Sequence, residues 1–223
     1  MKKKLDNLTL LIPAKNEPES LPLVLKELKK YKIKKVIVLQ KDDKDTIKAI
    51  KDKKSKIIFQ KKNGYGSAIK EGIYKIKTKY LCIFNADGSF NPKELFQMSK
   101  SLKRFNFVFG SRYQKDSGSE DDTIVTLIGN YIFTLIGKIF FKLNISDILY
   151  TFVLGKTTCA NSLNLTQKDF SLCVEIPIKA VRNNMKISSI SSYERERIAG
   201  KEKVNAFRDG FLILIYMIKL FFK

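Results

Sequence analysis

No histidine occurs among the 223 residues. Ser-His-Asp triads, Cys-His dyads and histidine metal sites are therefore excluded, and proton transfer falls to carboxylates, lysine, tyrosine or the substrate itself. Cysteine is scarce: Cys82, Cys159 and Cys173 are widely spaced and form no CxxC pair. That removes a zinc signature and reads as small core residues in a reducing compartment. No apolar run reaches 18 uninterrupted residues, so no conventional membrane-spanning helix is expected. The basic N-terminus leads only into Leu8 to Ile12, which stops at Pro13 without a small-residue cleavage site, so no signal peptide is expected.

Acidic side chains are also in short supply. Lys and Arg number 43 against 22 Asp and Glu, a net charge of +21 at pH 7. Such a surface suits nucleic acid, a phosphorylated substrate or an anionic membrane, while a general lysine enrichment gives the same total. The cations are scattered, with neither an aromatic ladder nor a nucleic-acid motif, so no nucleic-acid partner is expected. Hydrophobic residues at 44% and aromatics at 11% are enough for one substantial core in a chain of this length.

What is present alternates between strand and helix. Leu8 to Ile12, Val36 to Leu39, Lys56 to Gln60, Tyr80 to Phe84, Phe107 to Phe109 and Lys186 to Ile190 read as strands. Asp147 to Leu154 reads as a strand or bulged connection. Helical spacing covers Ser20 to Lys30, a short stretch ending at Ile50, the segment opened by Asn63-Gly64-Tyr65-Gly66, Pro92 to Lys103 and Leu172 to Arg182. This alternation predicts a mainly parallel, Rossmann-like α/β sheet flanked by helices.

Gln114 to Asp122 reads as a loop. Thr123 to Leu143 is an apolar helix whose polar residues Thr126, Asn130, Thr134 and Lys138 recur every four positions; it is either buried in the fold or laid into a membrane interface. The terminal stretch Phe207 to Lys223 carries an apolar run from Phe211 to Ile218, too short to span. With Lys219 and Lys223 placed to meet lipid phosphates it reads as an interfacial anchor, the alternative being a helix docked on the core.

Three turns carry chemistry. Leu81 to Phe84 runs straight into Asn85-Ala86-Asp87-Gly88-Ser89, and ligands of open α/β sheets sit just beyond strand carboxyl ends. A carboxylate on a sharply turning backbone suits Mg²⁺ or Mn²⁺, or else Asp87 bonds its own turn. Gly64 and Gly66 open a helix start that suits phosphate, or they serve a tight turn needing positive φ. Arg112 ends a strand, where it can clamp phosphate oxygens or make a surface ion pair.

Taken in order, Ile12-Pro13-Ala14-Lys15-Asn16-Glu17, Gly64-Tyr65-Gly66-Ser67-Ala68, Asn85-Ala86-Asp87-Gly88, Gly110-Ser111-Arg112-Tyr113, Asp147 after the apolar helix, and Arg197-Ile198-Ala199-Gly200-Lys201-Glu202-Lys203 resemble the motifs of glycosyltransferase family 2. Within it they are most similar to the polyprenyl-phosphate, dolichyl-phosphate mannosyltransferase-like enzymes. The resemblance implies a GT-A domain over residues 1–203, followed by an apolar, basic helix over residues 204–223 at a membrane interface.

It further implies that Pro13, Ala14, Asn16, Glu17, Gln40, Asp42, Gly64, Gly66, Asn85, Ala86 and Asp87 bind a nucleotide sugar. Asp87 would hold Mg²⁺ or Mn²⁺, with Asn85 a weaker ligand, and Arg112, Arg197 and Lys203 would meet phosphate of donor or acceptor. The run Gln40-Lys41-Asp42-Asp43-Lys44-Asp45 departs from the family's D-D-G-S-x-D. Either a gap restores Asp42 and Asp43, or base and ribose are read differently. Asn85 replaces an acid of the metal motif, and Glu202 a serine of the closing motif.

The expected activity is inverting transfer of a sugar to a lipid phosphate at the cytoplasmic face of a membrane, with Asp87, Arg112, Asp147, Glu175 and Arg197 as the catalytic set. A phosphate monoester is largely ionised at neutral pH, its second pKa being about 6, and needs no strong base. Transfer to a glycan or glycolipid hydroxyl would need one, for which Asp147 and Glu175 are the candidates. A silent relative that only binds nucleotide or anionic lipid is the third reading.

Overall fold

The apolar runs become strands, and the central ones are covered on both faces. A computed structural model describes residues 5–52, 54–200 and 203–222, so Lys201, Glu202 and Lys223 lie outside the described residues. The strands are β1 (Leu8–Pro13), β2 (Lys34–Leu39), β3 (Lys56–Phe59), β4 (Tyr80–Ile83), β5 (Phe107–Ser111), β6 (Gly118–Ser119), β7 (Val153–Lys156), β8 (Ile187–Ser191) and β9 (Tyr193–Glu194). The helices are α1 (Ser20–Leu28), α2 (Lys44–Ala49), α3 (Tyr65–Ile73), α4 (Leu95–Ser101), α5 (Ile124–Phe141), α6 (Thr157–Ser162), α7 (Leu172–Arg182) and α8 (Ala206–Phe221).

Seven strands form one sheet in the order β3-β2-β1-β4-β7-β5-β8. All its pairings are parallel except those of β7, which runs antiparallel to β4 and β5. One core packs Ile12, Ile37, Phe84 and Phe152 under α1 and α4; the other packs Leu11, Val38 and Phe109 under α3, α5, α7 and α8. Near-continuous burial along β1 and β2 is what a sheet covered on both sides demands.

Three elements differ from expectation. The strand read at Asp147 to Leu154 begins only at Val153, because the Asp147 carboxylate accepts from Tyr150 N at 3.1 Å and holds a turn there. The loop Gln114 to Asp122 contains β6, which pairs in parallel with β9. Helix α6, Thr-Thr-Cys-Ala-Asn-Ser, was not foreseen: its β-branched and short polar residues are weak helix formers.

Helix α5 turns part of its polar stripe inward: Asn130 and Thr134 are buried beside Gly137 and Phe141, whereas Lys138 of the same stripe is exposed and Ile124, Ile128 and Tyr131 are 79%, 52% and 68% exposed. Asn130 Nδ2 donates to Asp147 Oδ1 at 2.6 Å, and its Oδ1 accepts from Leu149 N at 3.2 Å. Thr134 Oγ1 accepts from Ile148 N at 3.2 Å. The helix therefore satisfies the backbone N–H groups of Ile148 and Leu149 and one oxygen of the Asp147 side chain. By length and composition α5 could cross a membrane, a property the uninterrupted-run criterion missed because Thr, Asn and Gly punctuate it. Its inner face is fastened to the domain.

Helix α8 packs beside α5, with Ile213, Tyr216, Met217 and Leu220 in the core, and leaves Phe207, Phe211 and Ile215 outside. It is docked on the domain through one face and exposes an apolar second face.

Glu175 is a structural clasp. It is fully buried in α7 and accepts from Thr166 N and Oγ1, Gln167 N and Tyr216 Oη, all within 2.9 Å, with Lys179 Nζ at 2.8 Å. Burial pushes its carboxyl up, but Lys179 and the Thr166 and Gln167 donors outweigh that and hold it below its ordinary value of 4.5. It is engaged by these partners and absent from the main cavity, so it is not placed as the base expected for a hydroxyl acceptor.

Two outcomes follow. Asn130→Leu makes α5 more apolar yet leaves buried Asp147 and Leu149 N short of partners, so stability falls by about 2 kcal/mol; the melting temperature drops by roughly 4–8 °C. A lowered folded pKa makes ionised Glu175 stabilising above its ordinary 4.5, and that contribution disappears as pH falls through the folded value. Glu175→Gln therefore loses less stability than the wild type between roughly pH 5 and pH 3, read by denaturant titration across that range.

Candidate active site

The parallel strands deliver their carboxyl ends to one edge, as open α/β sheets do. Pro13 from β1, Gln40 after β2, Gln60 after β3, Asp87 after β4 and Arg112 after β5 all line a cavity of about 440 Å³. Ala14, Glu17, Gly64, Asn85, Ala86, Arg197 and Lys203 line it too. Asn16, Asp42, Gly66, Asp147 and Glu175 do not.

Each excursion has a local cause. Asn16 adopts φ 54° and is exposed, its backbone N–H donating to Asp43 Oδ2 at 2.7 Å. Asp43 also caps α2 through Thr46 N. The acidic run after β2 thus secures the turn beneath the cavity, and exposed Asp42 stays outside it.

The glycine turn serves close packing. A side chain on Gly66 would collide with the carbonyls of Gln167 and Asp169, and one on Gly64, at φ +110°, with that of Lys168. Ser67 N at the start of α3 donates to Lys168 O at 3.2 Å, so the loop before α7 caps this helix. The tight turn with positive φ is present at Gly64, which also lines the cavity, and the Lys168 carbonyl takes the Ser67 N–H of the helix start. The same loop brings Asp169 and Phe170 to the cavity, Phe170 stacking on Tyr65 at 4.7 Å between ring centroids.

Asp87 bonds its own turn and also lines the cavity: Oδ1 accepts from Ser89 N at 3.0 Å and Ser89 Oγ at 2.8 Å. Ile198 lies over Gly88, and Ile198 N donates to Asp87 O at 2.8 Å, which brings the closing motif onto this turn. Among the described residues no three His, Cys, Asp or Glu side chains converge as a metal cage.

Arg112, Arg197 and Lys203 are each paired with a carboxylate from a distant part of the chain. Arg112 donates to both oxygens of fully buried Asp147, Nε at 2.8 Å and Nη2 at 3.1 Å, and to Glu194 at 3.1 Å. Burial alone would lower its pKa; Asp147 and Glu194 reverse this and keep the guanidinium charged. Burial raises the Glu194 carboxyl, with Arg112 opposing. Arg197 meets Asp121 and Lys203 meets Glu17. Asp147 therefore sits behind the site and orients Arg112.

Sequence reasoning missed Asp121, Asp122, Asp169, Arg208 and Asp209, all on the cavity wall. Asp121 and Asp122 hid in a segment read only as loop. Arg208 and Asp209 had a signal: they are the only charged pair at the head of an otherwise apolar helix.

Comparison with known proteins agrees with this architecture. Residues 9–161 match Glycosyl transferase family 2. An uncharacterized protein of Methanocaldococcus jannaschii is 28% identical over 133 residues, 56% of this chain and 55% of its own length. An uncharacterized glycosyltransferase of Mycobacterium tuberculosis is 23% identical over 211 residues, 94% of this chain and 95% of that protein. The fold is similar to glucosyl-3-phosphoglycerate synthase of Mycobacterium tuberculosis, crystallised with Mn²⁺, UDP-glucose and phosphoglyceric acid. That match has a TM-score of 0.73 at 10% identity over 96% of this chain and 79% of that one. The same enzyme has been crystallised with Mg²⁺ and UDP, with a TM-score of 0.67 at 10% identity over 94% and 78% of the two chains. With a match covering more than half its length and the motifs gathered at one sheet edge, this chain belongs to glycosyl transferase family 2.

Proposed function

We propose that this glycosyltransferase moves a sugar from a nucleoside diphosphate sugar to a phosphate monoester carried on a lipid, at an anionic membrane surface on the cytoplasmic side. The observation that carries the reading is the cavity itself: Asp87 shares it with Arg112, Arg197, Lys203 and Arg208, and it is walled by α5 and α8, whose outer faces are apolar. The phosphate-bearing ligand of the structural neighbour is in keeping with a phosphate-bearing acceptor.

A divalent cation fits the donor set. Mg²⁺ and Mn²⁺ take oxygen ligands, and Mg²⁺ is commonly held by one or two carboxylates together with substrate phosphates. Asp87, oriented by Ser89, would supply the carboxylate and Asn85 a neutral oxygen. Bound there, the ion would neutralise charge on the donor diphosphate.

The chain's own groups do the rest. Arg112 keeps its charge and its orientation on Asp147, and Arg197 and Lys203 add positive charge where the leaving diphosphate gains negative charge. An acceptor phosphate oxygen bonds to the anomeric carbon as the bond to the diphosphate breaks. This single displacement inverts the centre and asks no side chain to take a proton. A second reading, transfer to a hydroxyl, draws on Asp169 at the cavity wall as a base.

The test is a screen of GDP-, UDP- and dTDP-sugars with Mg²⁺ or Mn²⁺ and a short polyprenyl phosphate, following label into the lipid phase. One donor labels lipid, chelation stops it, and Asp87→Ala cuts the rate by roughly a hundredfold or more. Label appearing only on soluble hydroxyl acceptors overturns the lipid-phosphate assignment.

A further inference from the structure

The cavity mouth lies at the N-terminal ends of α5 and α8. Thr126, in the first turn of α5, and Arg208 and Asp209, in the first turn of α8, line it. From there the two helices run side by side in the same direction. Gly210 lies against the Phe133 ring, and farther along the Phe221 ring meets those of Phe140 and Phe141 at 5.5 and 6.3 Å. Ile128, Tyr131 and Leu135 on α5, with Phe207, Phe211 and Ile215 on α8, are all at least 44% exposed. An apolar surface therefore starts where the polar cavity ends.

Charge decides what covers this surface. Helix α5 contains no acid, and the one acid of α8, Asp209, is buried. Lys138, Arg208 and Lys219 are exposed. A second copy would set cations against cations, whereas an anionic lipid surface complements them and accepts the apolar side chains.

Arg208 is held differently from Arg112, Arg197 and Lys203 on the same cavity wall. Arg112, Arg197 and Lys203 are each tied to a carboxylate from a distant part of the chain. The Arg208 side chain is 68% exposed, and among the described residues both its Nε, at 2.9 Å, and its Nη2, at 2.8 Å, meet the single oxygen Oδ1 of adjacent Asp209. Asp209 Oδ2 is engaged by Asn205 N at 2.8 Å, which fixes the pair at the helix start. A guanidinium held at one edge retains donors suited to two phosphate oxygens.

We propose that Arg208 receives the acceptor's phosphate monoester from the lipid surface, and that the acceptor's hydrocarbon chain lies along the exposed faces of α5 and α8. The assignment rests on the lipid-phosphate reading above. It makes Arg208 an acceptor-binding residue and sets the direction of entry, along the helix pair into the mouth beside Thr126.

The experiment measures initial rates against polyprenyl phosphate dispersed in phosphatidylcholine vesicles, for the wild type, Arg208→Gln, Arg208→Lys and Phe211→Asp. Donor affinity, the thermal melt and flotation on acceptor-free phosphatidylglycerol vesicles are measured for each. Arg208→Gln is expected to raise the apparent KM for polyprenyl phosphate roughly tenfold to a hundredfold, the worth of one charged hydrogen bond. Donor affinity and melting stay as in the wild type, and Arg208→Lys recovers part of the loss. Phe211→Asp floats poorly and raises the same KM.

An acceptor KM for Arg208→Gln within about twofold of an active wild type overturns the assignment and leaves the lipid-phosphate reading standing. So does a loss confined to flotation on phosphatidylglycerol, which would make Arg208 a general headgroup contact. Absence of transfer from wild type to any lipid phosphate overturns both.

Discussion

The buried carboxylate of Asp147 is the contact on which the site depends. It accepts from Arg112 N, Nε and Nη2, from Asn130 Nδ2 and from Tyr150 N. One side chain thereby joins the end of β5, the inner stripe of α5 and the turn before β7. A buried charge is tolerable only when so satisfied. Because Arg112 also reaches Glu194 of β9, the constraint continues into the segment that carries Arg197 and Lys203 across the cavity.

Much of the sheet was legible because its strands obey one simple rule: a strand buried on both faces must be apolar throughout. Leu8 to Ile12 and Val36 to Leu39 show this, and Asp87 falls just past such a run, so its place at the sheet edge could be read directly. Elements that depend on long-range partners could not. The two-residue strand β6 exists only because β9 lies beside it, 75 residues away at Ser119 and Glu194. Glu175 reads in sequence as a candidate base, and nothing local says that Thr166, Gln167 and Tyr216 converge on it.

The glycine turn teaches a related lesson. Gly64 and Gly66 were informative as glycines, since each accommodates a backbone carbonyl where a side chain would collide. The identity of the approaching group was not legible. A phosphate and a peptide carbonyl both present an oxygen to a helix start, and here the loop before α7 supplies it through Lys168.

The inward-facing polar residues of α5 separate folding from surface chemistry. In an ordinary amphipathic helix the apolar residues hold the fold and the polar ones drift. Here Asn130 and Thr134 make the tertiary hydrogen bonds, whereas Ile124, Ile128 and Tyr131 touch mainly solvent. Exchange at such exposed positions ordinarily alters stability by about 0.5 kcal/mol or less. The outer residues of α5 are therefore almost invisible to selection for folding, whereas Asn130 and Thr134 are held by it as firmly as buried Phe141.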